Sequence, residues 1–413
     1  MAQLNITLNQ EEILQLLSND RDAAFAKLLQ DSLNSILKVE STAQLKAEPY
    51  ERTEERTGSR NGFRDRPLTT RVGTITLKVP KHRDGEPFHS LIFDNYGRSE
   101  AALIVTMAEM VVNGVSTRKV SQVMETLCGK SYSKSTVSEA CKELDKKVTE
   151  FRERPLTGDY PFLTVDATYF KVRENSRVIS KAFMIAYATN GEGHREIIGF
   201  GIYSKESKDT WNDFLKSLKK RGLTGVRMIT SDAHEGIRDA ISRQFPEVAW
   251  QRCQFHFTRN IIDKAPKKYQ AGLSSELQEM FNCKSIADTR KRRDAIINDY
   301  NDVAEEAMKC LEEGFESSMT VMVLPSHLRV FFRTSNQIER LNKELKRRSR
   351  VIGIFPNECS LMRLMGSVLV ERNEEASNRK CLYTAKTYQE MFTTDVQNKL
   401  KNIAIEQRKL LAA

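Results

Sequence analysis

A chain of 413 residues, 39% hydrophobic and 29% charged, has room for two to four packed domains and the composition of a water-soluble protein. It contains no run of 18 apolar residues, and its start, Met-Ala-Gln-Leu-Asn-Ile, has no basic segment ahead of an apolar one, so neither a membrane-spanning helix nor a secretory leader is expected. Seven cysteines, at 128, 141, 253, 283, 310, 359 and 381, form no disulfide framework and suggest reduced thiols in the cytoplasm.

The net charge of +10 is clustered. Residues 56–83 carry eight Lys/Arg against Asp65, and residues 340–350 carry six against Glu344, giving +7 and +5, together more than the excess of the whole chain. Solvated surface is the plain reading of such runs, and polyphosphate binding is the sharper one. Double-stranded DNA is the expected partner, with the protein associated with the nucleoid.

In chain order, Asn9 can cap a helix over residues 9–38, with Glu11 and Glu12 in its first turn and Phe25, Leu29, Leu33, Ile36 and Leu37 at helical spacing. This 1–49 region reads as a packing or dimerisation element. Residues 50–66 are polar and glycine-bearing and predict an extended arm. A short strand follows, in which Ile75, Leu77 and Val79 alternate with Thr74, Thr76 and Lys78 until Pro80 stops it. Laid along a DNA backbone or minor groove, the 50–97 segment would offer Arg56, Arg60, Asn61, Arg64, Arg66 and Arg71.

Residues 98–155 predict three helices: Ala101–Val112, ended by Asn113-Gly114; a second capped by Ser116 or Thr117 and running to Leu127; and a third, Lys134–Val148, capped by Ser133. The pattern is of the helix-turn-helix type, with Arg118, Lys119, Lys134, Ser135 and Thr136 placed to meet DNA; a three-helix bundle with no DNA contact fits it as well.

Over 156–255 the pattern predicts strands Phe162–Lys171, Val178–Ala188 and Arg195–Tyr203, helix Asp209–Lys220, strand Val226–Thr230, helix Glu235–Arg243 and strand Val248–Arg252. The expected fold is α/β and multidomain: a ribonuclease H-like mixed five-stranded sheet with an α-helical insertion, preceded by the helix-turn-helix-type region. Two successive hairpins, and no Gly-x-Gly-x-x-Gly after the first strand, exclude a dinucleotide-binding fold. Residues 256–332 read as the insertion. Residues 333–413 supply a basic helix over 335–350 and further helices over 356–412.

Three acids stand out against this frame. Asp166 lies on the first strand of the core, Asp232 just past the fourth, and Glu339 at the start of the basic helix. Two strand-borne aspartates and a helix-borne glutamate can hold two hard divalent ions, Mg2+ or Mn2+, for phosphodiester chemistry. In the 335–350 helix, Ile338, Leu341 and Leu345 share one face, and Asn336, Glu339, Lys343, Lys346, Arg347 and Arg350 the opposite one. An ion pair with Lys343 is the plain job for Glu339. Among the other acids, Glu235 begins a helix, Asp209 is expected to cap one, and Glu344 sits less favourably on the wheel. Cys253-Gln-Phe-His256 has a spacing that zinc sites use, but a structural zinc needs four ligands and no second Cys/His pair stands close. These two residues are expected to brace the junction after the fifth strand, near the metal cleft. No phosphate-binding Gly-x-x-x-x-Gly-Lys-Ser/Thr segment occurs, so no ATP is expected.

Arg60-Asn-Gly-Phe-Arg-Asp-Arg66, Thr70-Arg-Val-Gly-Thr74, Val79-Pro-Lys81, Val165-Asp-Ala-Thr168, Ser231-Asp-Ala-His-Glu-Gly236, Arg252-Cys-Gln-Phe-His256 and Asn336-Gln-Ile-Glu-Arg-Leu-Asn342 with Arg347-Arg348 follow one another in an order that resembles the bacterial Mutator-type insertion-sequence transposases. The resemblance spans roughly residues 50–370. It implies a D-D-E triad at Asp166, Asp232 and Glu339, a Cys-x-x-His motif at Cys253 and His256, and movement by copy-out–paste-in. Such insertions commonly carry a tryptophan ahead of the Asn-x-x-Glu segment, and residues 254–338 contain none. The expected activity is metal-dependent cleavage and joining of DNA at terminal inverted repeats, by a homodimer because two ends must be processed together. The competing readings are a nuclease that cuts without joining and a regulator that only binds DNA.

Overall fold

A computed structural model describes residues 21–51, 53, 56–70, 73–84, 86–90, 101–113, 115–128, 133–134, 137–138 and 141–412. The chain divides into two units, Met1–Glu143 and Leu144–Ala413. Among the described residues, no helix is long and apolar enough to cross a membrane.

In the first unit, helix α1 (Arg21–Leu45) lies on a two-stranded antiparallel sheet of β1 (Ser59–Thr70) and β2 (Gly73–Arg83). Leu29, Leu33 and Leu37 pack against Leu68, Ile75, Leu77 and Val79, so this part of the stripe fills its own core while Phe25 stays exposed. The helix runs seven residues past the expected end at 38; its expected start at Asn9 lies outside the described residues.

The arm expected over 50–66 is in large part a paired strand, with Arg64 opposite Val79 and Arg66 opposite Leu77. Among the described side chains of β1, only Leu68 and Thr70 are buried, too few to show alternation in the sequence. Nor does Pro80 stop its strand, which continues to Arg83. Pro80 faces Phe63 next to a register shift, where Gly62 takes φ +71°, and a missing N–H is tolerated at such an irregularity.

Helices α2 (Ala101–Val112) and α3 (Thr117–Cys128) share a small core of Met107, Val120, Met124 and Val137. Ser116 is the cap of α3, its Oγ accepting the Lys119 N–H at 3.3 Å. The expected third helix is interrupted: residues 134, 137 and 138 are helical, 141–142 form a turn, and α4 runs from Glu143 to Glu153. Ser135 and Thr136 lie outside the described residues, as does Arg71.

The second unit is built on a five-stranded mixed sheet of β3 (Phe162–Glu174), β4 (Arg177–Thr189), β5 (Arg195–Tyr203), β6 (Met228–Ser231) and β7 (Ala249–Arg252), in the order β5-β4-β3-β6-β7. β3, β4 and β5 are antiparallel, joined by tight hairpins, while β6 and β7 run parallel to β3. Asn175 and Ser176 both take positive φ between β3 and β4, the conformation that matches the right-handed twist of a two-residue hairpin.

Helices α5 (Lys208–Lys220) and α6 (Glu235–Gln244) cover one face, where Leu163, Val165, Met184, Ile198, Trp211, Phe214 and Ile237 form the core. The strand chain then leaves the sheet through α7 (Gln254–Lys264), α8 (Lys267–Phe281), α9 (Ile286–Tyr300), α10 (Glu305–Ser318) and α11 (Ser326–Phe332), the first four packed around Phe257, Leu273, Ile296, Leu311 and Phe315. The two feet of this excursion touch: the Gln254 N–H donates to the Arg333 carbonyl at 2.9 Å, and Thr230 Oγ1 to the Phe332 carbonyl at 2.9 Å. Helix α12 (Asn336–Ser349) then crosses the second face of the sheet, followed by α13 (Glu358–Ser377), α14 (Ala385–Met391) and α15 (Thr394–Ala412).

Candidate active site

Strand register brings the two aspartates together. Thr164 on β3 is the partner of Thr230 on the parallel strand β6. Asp166 stands two residues beyond the first and Asp232 two beyond the second. With side chains alternating every residue, the two lie at one level on adjacent parallel strands, Asp166 within β3 and Asp232 just past the carboxyl end of β6.

Asp166 shares the side of β3 that carries Thr164 and Thr168, opposite the side of Leu163 and Val165 that meets α5 and α6. Helix α12 covers it: Asn342 Nδ2 donates to Asp166 Oδ2 at 2.9 Å, and the Ala167 N–H to Oδ1 at 2.9 Å. Glu339 lies one turn before Asn342 on the same helix. Ile338, Leu341 and Leu345 hold α12 down by their buried face, as the wheel predicts. Asp232 Oδ1 in turn accepts the His234 N–H at 3.2 Å, in the turn that leads into α6.

Burial, and then the negative charge of Asp232, push the Asp166 carboxyl up to about 7, with Glu206 and Glu339 adding to the repulsion. Carboxylates crowded together without matching positive charge form the oxygen-only donor set that hard divalent ions require.

Glu206, in the loop between β5 and α5, was not among the expected site residues. Burial raises its carboxyl, His234 opposes that, and Asp232 adds to it. The Glu206 N–H donates to Tyr169 Oη at 3.3 Å. A Cβ on Gly236 would stand 2.9 Å from the Ser207 carbonyl carbon, so only glycine lets α6 approach the Glu206–Ser207 segment this closely. Nothing local in Lys205-Glu-Ser207 marks Glu206; a fold-level placement of the loop beside Tyr169 of β3 would have. Asn342 was missed for the same reason, since its partner is 176 residues away.

The rejected acids have other partners. Glu235 pairs with Lys208 at 2.5 Å. Asp209 is not a cap: Ser207 caps α5, and Asp209 sits in the first turn. Glu344 is gripped by Arg347, Arg348 and Arg372 at 2.7, 2.8 and 3.0 Å, and the Arg347 hydrogen bonds foremost hold its carboxyl well below the usual range.

The expected cationic residues separate into two groups. Arg60 donates to Thr42 Oγ1 and the Ala47 carbonyl at 2.9 and 2.7 Å, and Arg56 to the Gly58 and Glu51 carbonyls at 2.8 and 2.9 Å, so both brace the hairpin's surroundings. Asn61, Arg64, Arg118, Lys119, Lys134, Lys343, Lys346 and Arg350 are exposed, and Arg66 is half-buried on β1. Arg347 is exposed but engaged by both oxygens of Glu344.

Cys253 and His256 do flank the acids. Cys253 is buried ahead of α7, its N–H donating to the Ser231 carbonyl at 2.7 Å, and His256 Nε2 stands 3.4 Å from Glu339 Oε1.

The chain is a transposase by sequence: the profile of the Mutator family of transposases matches residues 1–378, and the chain belongs to that family. It is 42% identical to the transposase for insertion sequence element IS256 in transposon Tn4001 of Staphylococcus aureus, over 94% of this chain and 99% of that one. It is 38% identical to the transposase for insertion sequence element ISRM5 of Rhizobium meliloti, over 84% of this chain and 87% of that one. Among solved structures, the Drosophila P element transposase strand transfer complex aligns with 76% of this chain and 93% of that one at 11% identity and a TM-score of 0.31, a likeness too slight to carry weight.

Proposed function

We propose that this chain cuts and joins DNA strands at the terminal inverted repeats of an insertion sequence, using Asp166, Asp232 and Glu339 on a ribonuclease H-like core. The observation that carries the reading is the register of β3 against β6, which sets two aspartates side by side beneath a helix whose first turn presents Glu339. The donor set suits two Mg2+ or Mn2+ ions, which when bound would supply Lewis-acid activation of the attacking oxygen and stabilisation of the leaving one.

The chain's own groups do the rest. Asn342 fixes the rotation of the Asp166 carboxylate by donating to Oδ2. Asp232 is oriented by the His234 N–H. Lys343, Lys346 and Arg350, continuing past Glu339 along α12, hold the phosphate backbone over the acids. Water is the first nucleophile and a DNA 3′-hydroxyl the second. Repeat recognition falls to residues 50–150, where Arg64, Arg66, Arg118, Lys119 and Lys134 face the duplex, and two chains act together on the two ends by a copy-out–paste-in route in the cytoplasm without ATP. A strand-transfer assay with labelled terminal repeat and Mg2+ tests the proposal. Joined product from the full chain is expected; cleaved ends that never join would reduce the activity to that of a nuclease.

A further inference from the structure

Beside the carboxylate cleft lies a second donor set of different chemistry. Cys253 Sγ, a nitrogen of the His256 ring and a carboxylate oxygen of Glu339 all lie within 4.8 Å of one another. Two come from the turn into α7; the third comes from α12, on the far side of the helical excursion.

The His256 Nε2 atom has no solvent access and no hydrogen-bond partner. It is 3.4 Å from Glu339 Oε1 but off the line a hydrogen bond needs. An orphaned buried nitrogen of this kind calls for a ligand. Around the sulfur, the Ser335 N–H donates to Sγ at 3.3 Å and Ser335 Oγ lies 3.2 Å from it. Ser335 Oγ also donates to Glu339 Oε1 at 3.2 Å, tying two of the three donors to one hydroxyl. Burial pushes the thiol up, while the Ser335 hydroxyl and then the N–H groups of His256, Ser335 and Phe255 work against that; such donors around sulfur also stabilise a metal-bound thiolate.

We propose that Cys253, His256 and Glu339 form a binding site for a thiophilic divalent cation of the zinc class, with the fourth position left to water. One sulfur, one imidazole nitrogen and one carboxylate oxygen suit a tetrahedral zinc-type ion and not magnesium. Ligands of one such ion stand roughly 3–4 Å apart, so small side-chain rotations close the site. Because Glu339 serves both donor sets, an ion held here draws it from Asp166 and Asp232. That consequence, though not the site itself, rests on the role proposed above for Glu339.

Cobalt(II) titrated into the full-length, metal-free protein tests the site without reference to activity. The expected result is one equivalent bound with thiolate-to-cobalt charge-transfer absorption in the near ultraviolet and tetrahedral bands in the visible, displaced by zinc. Cys253→Ser should abolish the charge-transfer band, and His256→Gln, which keeps the thiolate, should weaken cobalt binding by at least about tenfold. Cys283→Ser, which alters a cysteine elsewhere in the helical excursion, should leave the spectrum unchanged. Because His256 is partly exposed, its variant keeps the test valid should Cys253→Ser fail to fold. No charge-transfer band, or a cobalt affinity unchanged in His256→Gln, would overturn the site. Zinc inhibition of Mg2+-dependent strand transfer, relieved in His256→Gln, would support the shared role of Glu339; an intact cobalt spectrum without zinc inhibition would overturn that role alone.

Discussion

The start and the middle of α12 treat acidic side chains in opposite ways. At its start, Glu339 joins Asp166, Asp232 and Glu206 in a cleft where burial and mutual repulsion drive a carboxyl up to about 7. Less than two turns on, Glu344 is enclosed by three arginines that keep it ionised. Glu344 has its countercharge within the chain and holds α12 to α13 through Arg372 and, by way of the buried Arg348, Glu371. Among the described residues, the Asp166 cluster has no such arginine clasp, only the His256 ring 3.4 Å from Glu339 and His234 near Glu206. In the proposed reading, the acids that do chemistry are set apart by what is missing around them.

The largest effects should come from the uncompensated end. Asp166→Asn, Asp232→Asn and Glu339→Gln should each bring strand cleavage and joining in Mg2+ below detection while end binding in a gel-shift assay stays within about twofold, since two-metal chemistry needs every ligand. Near-normal strand transfer by any one of them would remove that residue from the cluster. Glu344→Ala should act on folding instead. It takes the shared carboxylate from Arg347, Arg348 and Arg372, leaving Arg348 beside Glu371 and Arg372 beside Glu375, at a cost of about 2 kcal/mol in chemical denaturation. Unchanged stability would mean that the arginine clasp contributes nothing net.

In the absence of divalent ions, the same contrast has a pH signature. Folded Asp166 retains its proton up to about 7, from a reference value of 3.8, so between those limits the folded protein binds a proton that the unfolded chain has released. Its contribution to stability is complete below the lower value and is lost as pH rises through the upper one. Asp166→Asn should therefore stabilise the metal-free protein by about 2 kcal/mol at pH 8, the gain fading as the pH falls toward 4. A stabilisation independent of pH would show that the aspartate is not strained by charge.

The smallest effect concerns the cationic stripe. Arg347 is already engaged by Glu344, so Lys346→Ala should change DNA binding more than Arg347→Ala. It should weaken binding to specific and random duplexes alike and reduce the slope of log affinity against log salt by roughly 0.9, one phosphate contact. An unchanged slope would make the stripe solvated surface.

Much of this was legible in the sequence because it depends on local periodicity. The core strands and helices follow from runs such as Val178–Ala188 and from the Trp211, Phe214, Leu215 and Leu218 stripe, and their ends moved by only a few residues. Where one face of an element carries little apolar content, as in β1, the pattern was too thin and a strand was read as an arm. The site divides in the same way. Asp166 and Asp232 could be picked out because each ends or interrupts an apolar strand. Glu206, Asn342 and the closeness of Glu339 to Cys253 and His256 depend on contacts across the fold that no local pattern encodes. No second Cys/His pair stands near Cys253 along the chain, whereas the third donor, Glu339, arrives through space.

The contact between Gln254 and Arg333 separates chain length from geometry. Because the excursion leaves and returns at one point, its 79-residue span (333 − 254) is invisible to the sheet, and the cost of closing such a loop rises only about 0.6 kcal/mol per doubling of length. The helices between could lengthen, shrink or be exchanged for another module while Glu339 keeps its place over the aspartates. In a protein built this way, the acids form one compact unit of inheritance, and the spacing between them along the chain is open to variation.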